Sequence, residues 1–270
     1  MDFRSARIPP YNPSVSALKA GDTPEAPMHR FLGSRRVAAR ERDADLPLQT
    51  RSVRMLEPIR IDVVSDVVCP WCFIGKKRLE QAVAMTPKIP VEVHFRPYFL
   101  NAWIPLEGMS REQYLTAKFG SPESYKSIAQ RVTAAAAREG LAYASDRINR
   151  QPNTRDPHRL IRWAEAIRKA PEMKQRLMDL YFIEGADLSN ADVLVQAAAD
   201  VGLDSAQVRA DLASDKNVAE VEQEVQAAKE AGIQSVPVFI FGGKFAVSGA
   251  QAPEYLAQAI AKAAQAEAAE

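Results

Sequence analysis

The chain has almost no cysteine: two in 270 residues, Cys69 and Cys72. A secreted domain stapled by disulfides spreads its cysteines so that the bridges close long loops. Two cysteines three positions apart constrain little chain entropy, so the pair is a poor staple and chemistry accounts for it better. Two thiols are also too few for a closed zinc site, and none of His29, His94 and His158 stands at a ligand-like spacing from them. Long apolar runs are missing too: no stretch reaches the roughly 18 residues a membrane helix needs. Charge of one sign is missing as well. With 35 basic and 34 acidic side chains the net charge is +1, which predicts no nucleic acid and no anionic membrane as partner. The chain shows no internal repeat.

What is present is enough apolar sequence, 47% of residues, to build the core of one or two domains. Residues 1–57 stand apart. They hold six of the 18 prolines, are rich in Arg and lack periodicity; such a segment cannot offset its ordering entropy and is predicted to be a disordered leader. It lacks the apolar centre of a secretory signal, and Asp2, Asp22, Glu25, Glu41, Asp43 and Asp45 argue against a mitochondrial transit peptide, so a cytoplasmic location is expected. Met55, just ahead of the first ordered segment, is an alternative start for the natural protein.

Order is expected from residue 59. The β-branched run 59–68 reads as a buried strand. Phe73, Ile74, Leu79 and Val83 then recur at helical spacing until Pro87 and Pro90, and 91–99 alternates as a second strand. Strand–helix–strand makes a βαβ unit. The spacing predicts helices near 110–119, 122–139, 155–169, 172–184, 190–201, 205–213 and 217–231, with Asn190, Asp204 and Asn217 as N-caps. A strand at 236–241 turns at Gly242-Gly243 into a hairpin with 244–248, and a helix over 253–266 follows. Lys76, Lys77 and Arg78 are read as a solvated helix face, and Phe73, Leu177, Met178 and Leu180 as core.

The strand-to-helix junction carries Cys69-Pro70-Trp71-Cys72. A cysteine at a helix N-terminus has its thiolate stabilised by the free backbone N–H groups and the positive end of the helix dipole, and the thiolate is the species that exchanges disulfides. Pro70 suits the first helical position, which needs no N–H. Cys72, a turn later, is close enough to close a ring with Cys69. The order predicts Cys69 as the attacking and Cys72 as the resolving thiol. Trp71 is expected on the surface beside the thiolate, where it contacts substrate. Asp66 has two readings, a strand-end carboxylate binding local backbone N–H groups or a group that tunes the thiols. Asn153, Thr154 and His158 stand at a helix start, where capping is the default reading. Pro237, after Ser235 and Val236, opens a strand, where an ordinary trans proline is the default and a cis bond the alternative.

Four segments carry a family resemblance: residues 65–77 with the Cys-Pro-Trp-Cys tetrad, Asn153-Thr154 with His158-Arg159-Leu160, Ser235-Val236-Pro237-Val238-Phe239, and Ser248-Gly249-Ala250-Gln251. Across about residues 59–268 the chain resembles the DsbA-like thioredoxin-fold family, in its cytoplasmic FrnE-like branch. The resemblance implies an α/β thioredoxin fold, βαβ…ββα, with a large all-helical insertion. Its first half lies at 58–106, the insertion at 107–232 and its second half at 233–270. It further implies a redox disulfide at Cys69–Cys72 and a cis peptide at Val236–Pro237. Substrate contacts are expected from Pro70, Trp71, Ser235, Val236, Asn153, Thr154 and His158. The expected substrate is a protein or small-molecule disulfide or dithiol, and the expected cofactor is none beyond the cysteine pair, with glutathione a candidate reductant or cosubstrate. Some relatives carry a second cysteine pair used in isomerisation; this chain has none. Related 2-hydroxychromene-2-carboxylate isomerases and kappa-class glutathione transferases, which define the alternative activity, typically have Ser where Cys69 stands. Oligomeric state is not indicated.

Overall fold

The structure, a computed structural model, describes residues 57–268; the predicted leader lies outside them. The strand β1 (Ile59–Ser65) leads through a four-residue turn into α1 (Pro70–Met85), and β2 (Val91–Pro97) returns parallel to β1. The polypeptide comes back to this sheet at β5 (Val238–Phe241), antiparallel to β1, and β6 (Phe245–Ser248) pairs with β5 through the Gly242-Gly243 turn. The strand order is β2-β1-β5-β6, and α9 (Pro253–Ala268) closes the chain. This is the expected α/β arrangement of a thioredoxin fold.

Alternation along the strands decides what each face covers. Ile61, Val63, Phe239 and Phe241 pack with Leu79 and Ala82 of α1 and with Leu256 and Ile260 of α9. Val64, Val238 and Ile240 point the other way, into a larger core shared with Met173, Leu177 and Met178. Both faces of β1 are therefore buried, and this is why its sequence is almost continuously apolar. The strand ends at Ser65 rather than at residue 68, because Asp66 turns its carboxylate back onto the backbone and starts the turn.

The inserted region runs through α2 (Arg111–Phe119), α3 (Pro122–Arg138), α4 (Arg155–Glu165), α5 (Ala170–Asp179), α6 (Ala191–Asp200), α7 (Ser205–Leu212) and α8 (Val218–Glu230). It is not wholly helical. Met109–Ser110 (β3) pairs antiparallel with Arg150–Gln151 (β4). The predicted helix over 172–184 also divides: α5 ends at Asp179 and a π turn, Leu180–Glu184, follows to Gly185 at φ 72°. Asn190 and Asp204 cap as expected, accepting from the Asp192 and Gln207 amides. Asn217 does not. Its backbone is left-handed (φ 61°), and its side chain is taken by the Trp163 indole N–H and by Glu220. The solvated reading of residues 76–78 is also corrected at Lys76, which is buried with its Nζ on Glu80 and Gln175. Arg78 is tied to Glu139 and the Ala250 carbonyl.

Candidate active site

Cys69 is the N-cap of α1 in extended conformation (φ −90°, ψ 113°), with Pro70 next in the first turn and no acidic side chain in that turn. The Cys69 carbonyl accepts from the Cys72 and Phe73 amides at 3.0 and 3.1 Å, which closes the first helical turn and brings the two sulfurs to one end of it. Both thiols are buried and free, but they are not equivalent. The Cys69 thiol lies below its ordinary value: the Cys72 thiol and the Cys72 and Trp71 amides stabilise its thiolate against burial and the Asp66 charge. The Cys72 thiol is pushed well up, by burial first and then by the neighbouring Cys69. Trp71 is 40% exposed, as expected for the outermost member of the tetrad.

The loop before β5 faces this turn. The Val236–Pro237 bond is cis, and the Cys69 Sγ–H points at the Val236 carbonyl oxygen 3.7 Å away. Ser235 is exposed, whereas Val236 and Pro237 are buried. The sequence segment 65–77 also contains Gly75, whose reason is visible only in three dimensions. A Cβ there would lie 3.0 Å from Pro237 Cγ and 3.2 Å from the Phe239 ring. Glycine lets α1 approach the proline loop closely.

Behind the thiols lies a buried set of ionisable groups. Asp66 is fully buried; its Oδ1 accepts from the Val67 amide at 2.7 Å and its Oδ2 from the Leu100 amide at 2.8 Å. Burial pushes its carboxyl up, but His158, the Leu100 amide and Lys174 together outweigh this and hold it below the usual range. Asp66 binds local backbone, and its charge lies on the side that opposes ionisation of Cys69. His158 Nε2 stands 3.3 Å from Asp66 Oδ1, without the alignment of a full hydrogen bond. Burial lowers its imidazole, partly offset by Asp66.

His158 and Thr154 are expected to meet substrate. Both are buried, His158 behind the thiols beside the Phe99 ring, and Thr154 makes no capping bond. Asn153 does the capping instead: its Oδ1 accepts from the Arg155 amide, and its Nδ2 donates to the Ile104 carbonyl at 2.7 Å. Asn153 also lines a cavity of about 440 Å³ with Phe99, Ile104, Leu106 and Val225. Neither cysteine lines that cavity, so it is not where the thiols react.

Sequence reasoning missed Lys174. It sits on α5, is 1% exposed and donates to the Ser65 carbonyl at 3.4 Å. The signal was present: Ala170, Met173, Leu177 and Met178 form an apolar helical stripe, and Lys174 falls on it.

A thioredoxin fold with two adjacent thiols at the N-terminus of its first helix defines a class of protein, and sequence comparison agrees with it. The DSBA-like thioredoxin domain matches residues 60–261. The chain belongs to that family. It is 32% identical to a probable DsbA oxidoreductase from Streptomyces coelicolor, whose crystal structure superposes with a TM-score of 0.70 over 76% of this chain and 89% of that one. It is 26% identical over 186 residues to the uncharacterized protein YwbO of Bacillus subtilis, covering 68% of this chain and 87% of YwbO. A 2-hydroxychromene-2-carboxylate isomerase shares the fold, with a TM-score of 0.60 at 14% identity over 77% of this chain and 98% of that one.

Proposed function

We propose that this protein is a thiol–disulfide oxidoreductase in which Cys69 attacks and Cys72 resolves. The observation that carries the reading is the placement of the pair: Cys69 is the N-cap of α1 with its sulfur facing the Val236 carbonyl beside the cis proline, and Cys72 lies a turn inside the helix. The Cys69 thiolate attacks one sulfur of a substrate disulfide, forming a mixed disulfide and releasing the other sulfur as a thiolate. The Cys72 thiolate then attacks Cys69 Sγ, the Cys69–Cys72 bond forms, and the second substrate sulfur leaves. The substrate is reduced and the pair oxidised by two electrons; with an oxidised pair the same steps run in reverse. No external thiol is needed for release, because an attached thiol a turn away has a far higher effective concentration than a free one. Trp71, Pro70, Ser235 and Val236 border the reacting sulfur and are the proposed substrate contacts.

A cytoplasmic setting fits the low cysteine count, and no described helix is long and apolar enough to cross a membrane. The test is to follow model-disulfide turnover with and without glutathione, and to run Cys72→Ala on a non-reducing gel. A lasting adduct on Cys69, and turnover by the unmodified protein without glutathione, are expected. Turnover that requires glutathione and tolerates Cys72→Ala would favour a glutathione-dependent isomerase or transferase instead.

A further inference from the structure

The cavity of about 440 Å³ beside Asn153 is separate from the thiol site: neither cysteine, nor Trp71, nor any residue of the 235–237 loop lines it. Its size falls in the range of about 300–1,000 Å³ usual for small-molecule sites. Two stretches distant in sequence enclose it, the loop that follows β2 and one face of α8. On that face Glu222, Val225, Gln226 and Lys229 recur three or four residues apart, the spacing that puts helical side chains on one side. The floor is apolar. Phe99 is half-buried there, and Ile104 and Val225 are buried. Leu106, a large apolar side chain left 56% exposed, also lines it.

The charged groups around this floor are unevenly committed. Among the described residues Lys229 makes no hydrogen bond or ion pair, and Arg155 uses only its side-chain Nε, on Asp156 at 3.3 Å. Glu222 is the one carboxylate in the lining. It precedes Lys229 by seven residues, about 10 Å along the helix axis, and Gln226 between them donates to Glu230 at 3.1 Å. We infer that this cavity is a second binding site, for a small organic acid. The apolar body of the ligand lies on Phe99, Ile104 and Val225, and its carboxylate is answered by the uncommitted cations of Arg155 and Lys229. A cationic ligand would meet two like charges against one carboxylate. An uncharged one would leave both cations without a partner. Binding here is non-covalent and depends on neither thiol.

The experiment titrates the reduced, full-length, 15N-labelled protein with hexanoate, heptanoate and octanoate and follows its amide resonances. Saturable shifts are expected in the loop 99–106 and along α8, with affinity rising about fourfold for each added methylene. Octylammonium, the same chain with the opposite charge, should bind more weakly. Lys229 and Ala102 are exposed, so both sites tolerate substitution, and an otherwise unchanged amide spectrum shows that each variant is folded. Lys229→Glu should weaken octanoate by about fivefold or more. Ala102→Trp puts a large ring into the cavity and should abolish the shifts. Shifts that do not saturate, or that fall at residues 69–72 and 235–237 instead, overturn the inference. Octylammonium binding as tightly as octanoate, or octanoate binding unaltered in both variants, overturns it as well.

Discussion

The Cys69 sulfur and the Val236 carbonyl oxygen, 167 positions apart in sequence, face each other at 3.7 Å. Two halves of the thioredoxin fold, separated by the inserted region, thus meet at the Cys69 sulfur. Any substrate sulfur that approaches Cys69 does so beside the backbone of residues 235–237. Side chains that hold those two halves in register therefore act on the site without touching substrate.

Gly75 is one such position. Alanine there adds a Cβ at 3.0 Å from Pro237 and 3.2 Å from Phe239, tighter than ordinary van der Waals contact. Overpacking of this kind costs about 1–3 kcal/mol, while replacing a helical glycine by alanine returns up to about 1 kcal/mol. Gly75→Ala should therefore lower the melting temperature and slow mixed-disulfide formation. A higher melting temperature with undiminished reactivity would show that α1 and the proline loop have room between them.

Asp66→Asn separates the two roles of that carboxylate. The amide can accept from the Val67 or the Leu100 N–H but not both, and one buried donor left unpaired costs about 1–3 kcal/mol. The charge that opposes Cys69 ionisation disappears as well. Stability should fall, and the pH midpoint for Cys69 alkylation should move down. A midpoint that moves up would contradict the electrostatic role assigned to Asp66.

Lys174 predicts a pH dependence of stability. Its value falls from the ordinary 10.5 in the unfolded chain to about 8 in the folded protein. Below about 8 both states are protonated and the folded state carries the full penalty, on the order of 3 kcal/mol for a shift of this size. Between about 8 and 10.5 the unfolded state binds more protons, so stability rises with pH through that window. Lys174→Met removes the penalty. It should be more stable than the unmodified protein near neutral pH, and the difference should close as pH rises through the window, as denaturant titrations at a series of pH values will show. Destabilisation by Lys174→Met at neutral pH would contradict a costly buried ammonium.

Much of the fold was legible because each element carries its own local signal. The β-branched run of β1, the proline and cysteines opening α1 and the Gly242-Gly243 turn each name their structure directly, and the inserted helices fell near their predicted bounds. What was not legible depends on partners distant in sequence. Lys76 reads as a solvated helix residue until Gln175 is placed beside it. Asn217 has the composition of a cap, but the Trp163 indole occupies its oxygen. His158 stands near a helix start, and only the folded chain brings its ring onto Asp66. In the candidate site, the tetrad and the Val236–Pro237 segment were visible in sequence. The buried charges that differentiate the two thiols were mostly hidden, Asp66 excepted.

The asymmetry of the cysteine pair is tested most directly by site-resolved alkylation of the reduced protein. Peptides containing Cys69 and Cys72 are distinguished by mass, using Cys69→Ser and Cys72→Ala to assign each rate, and labelling is followed as a function of pH. Rapid labelling of Cys69 with a midpoint below that of an ordinary thiol is expected, with Cys72 labelled only slowly and at high pH. Rapid low-pH labelling that belongs to Cys72 and survives Cys69→Ser would contradict the account.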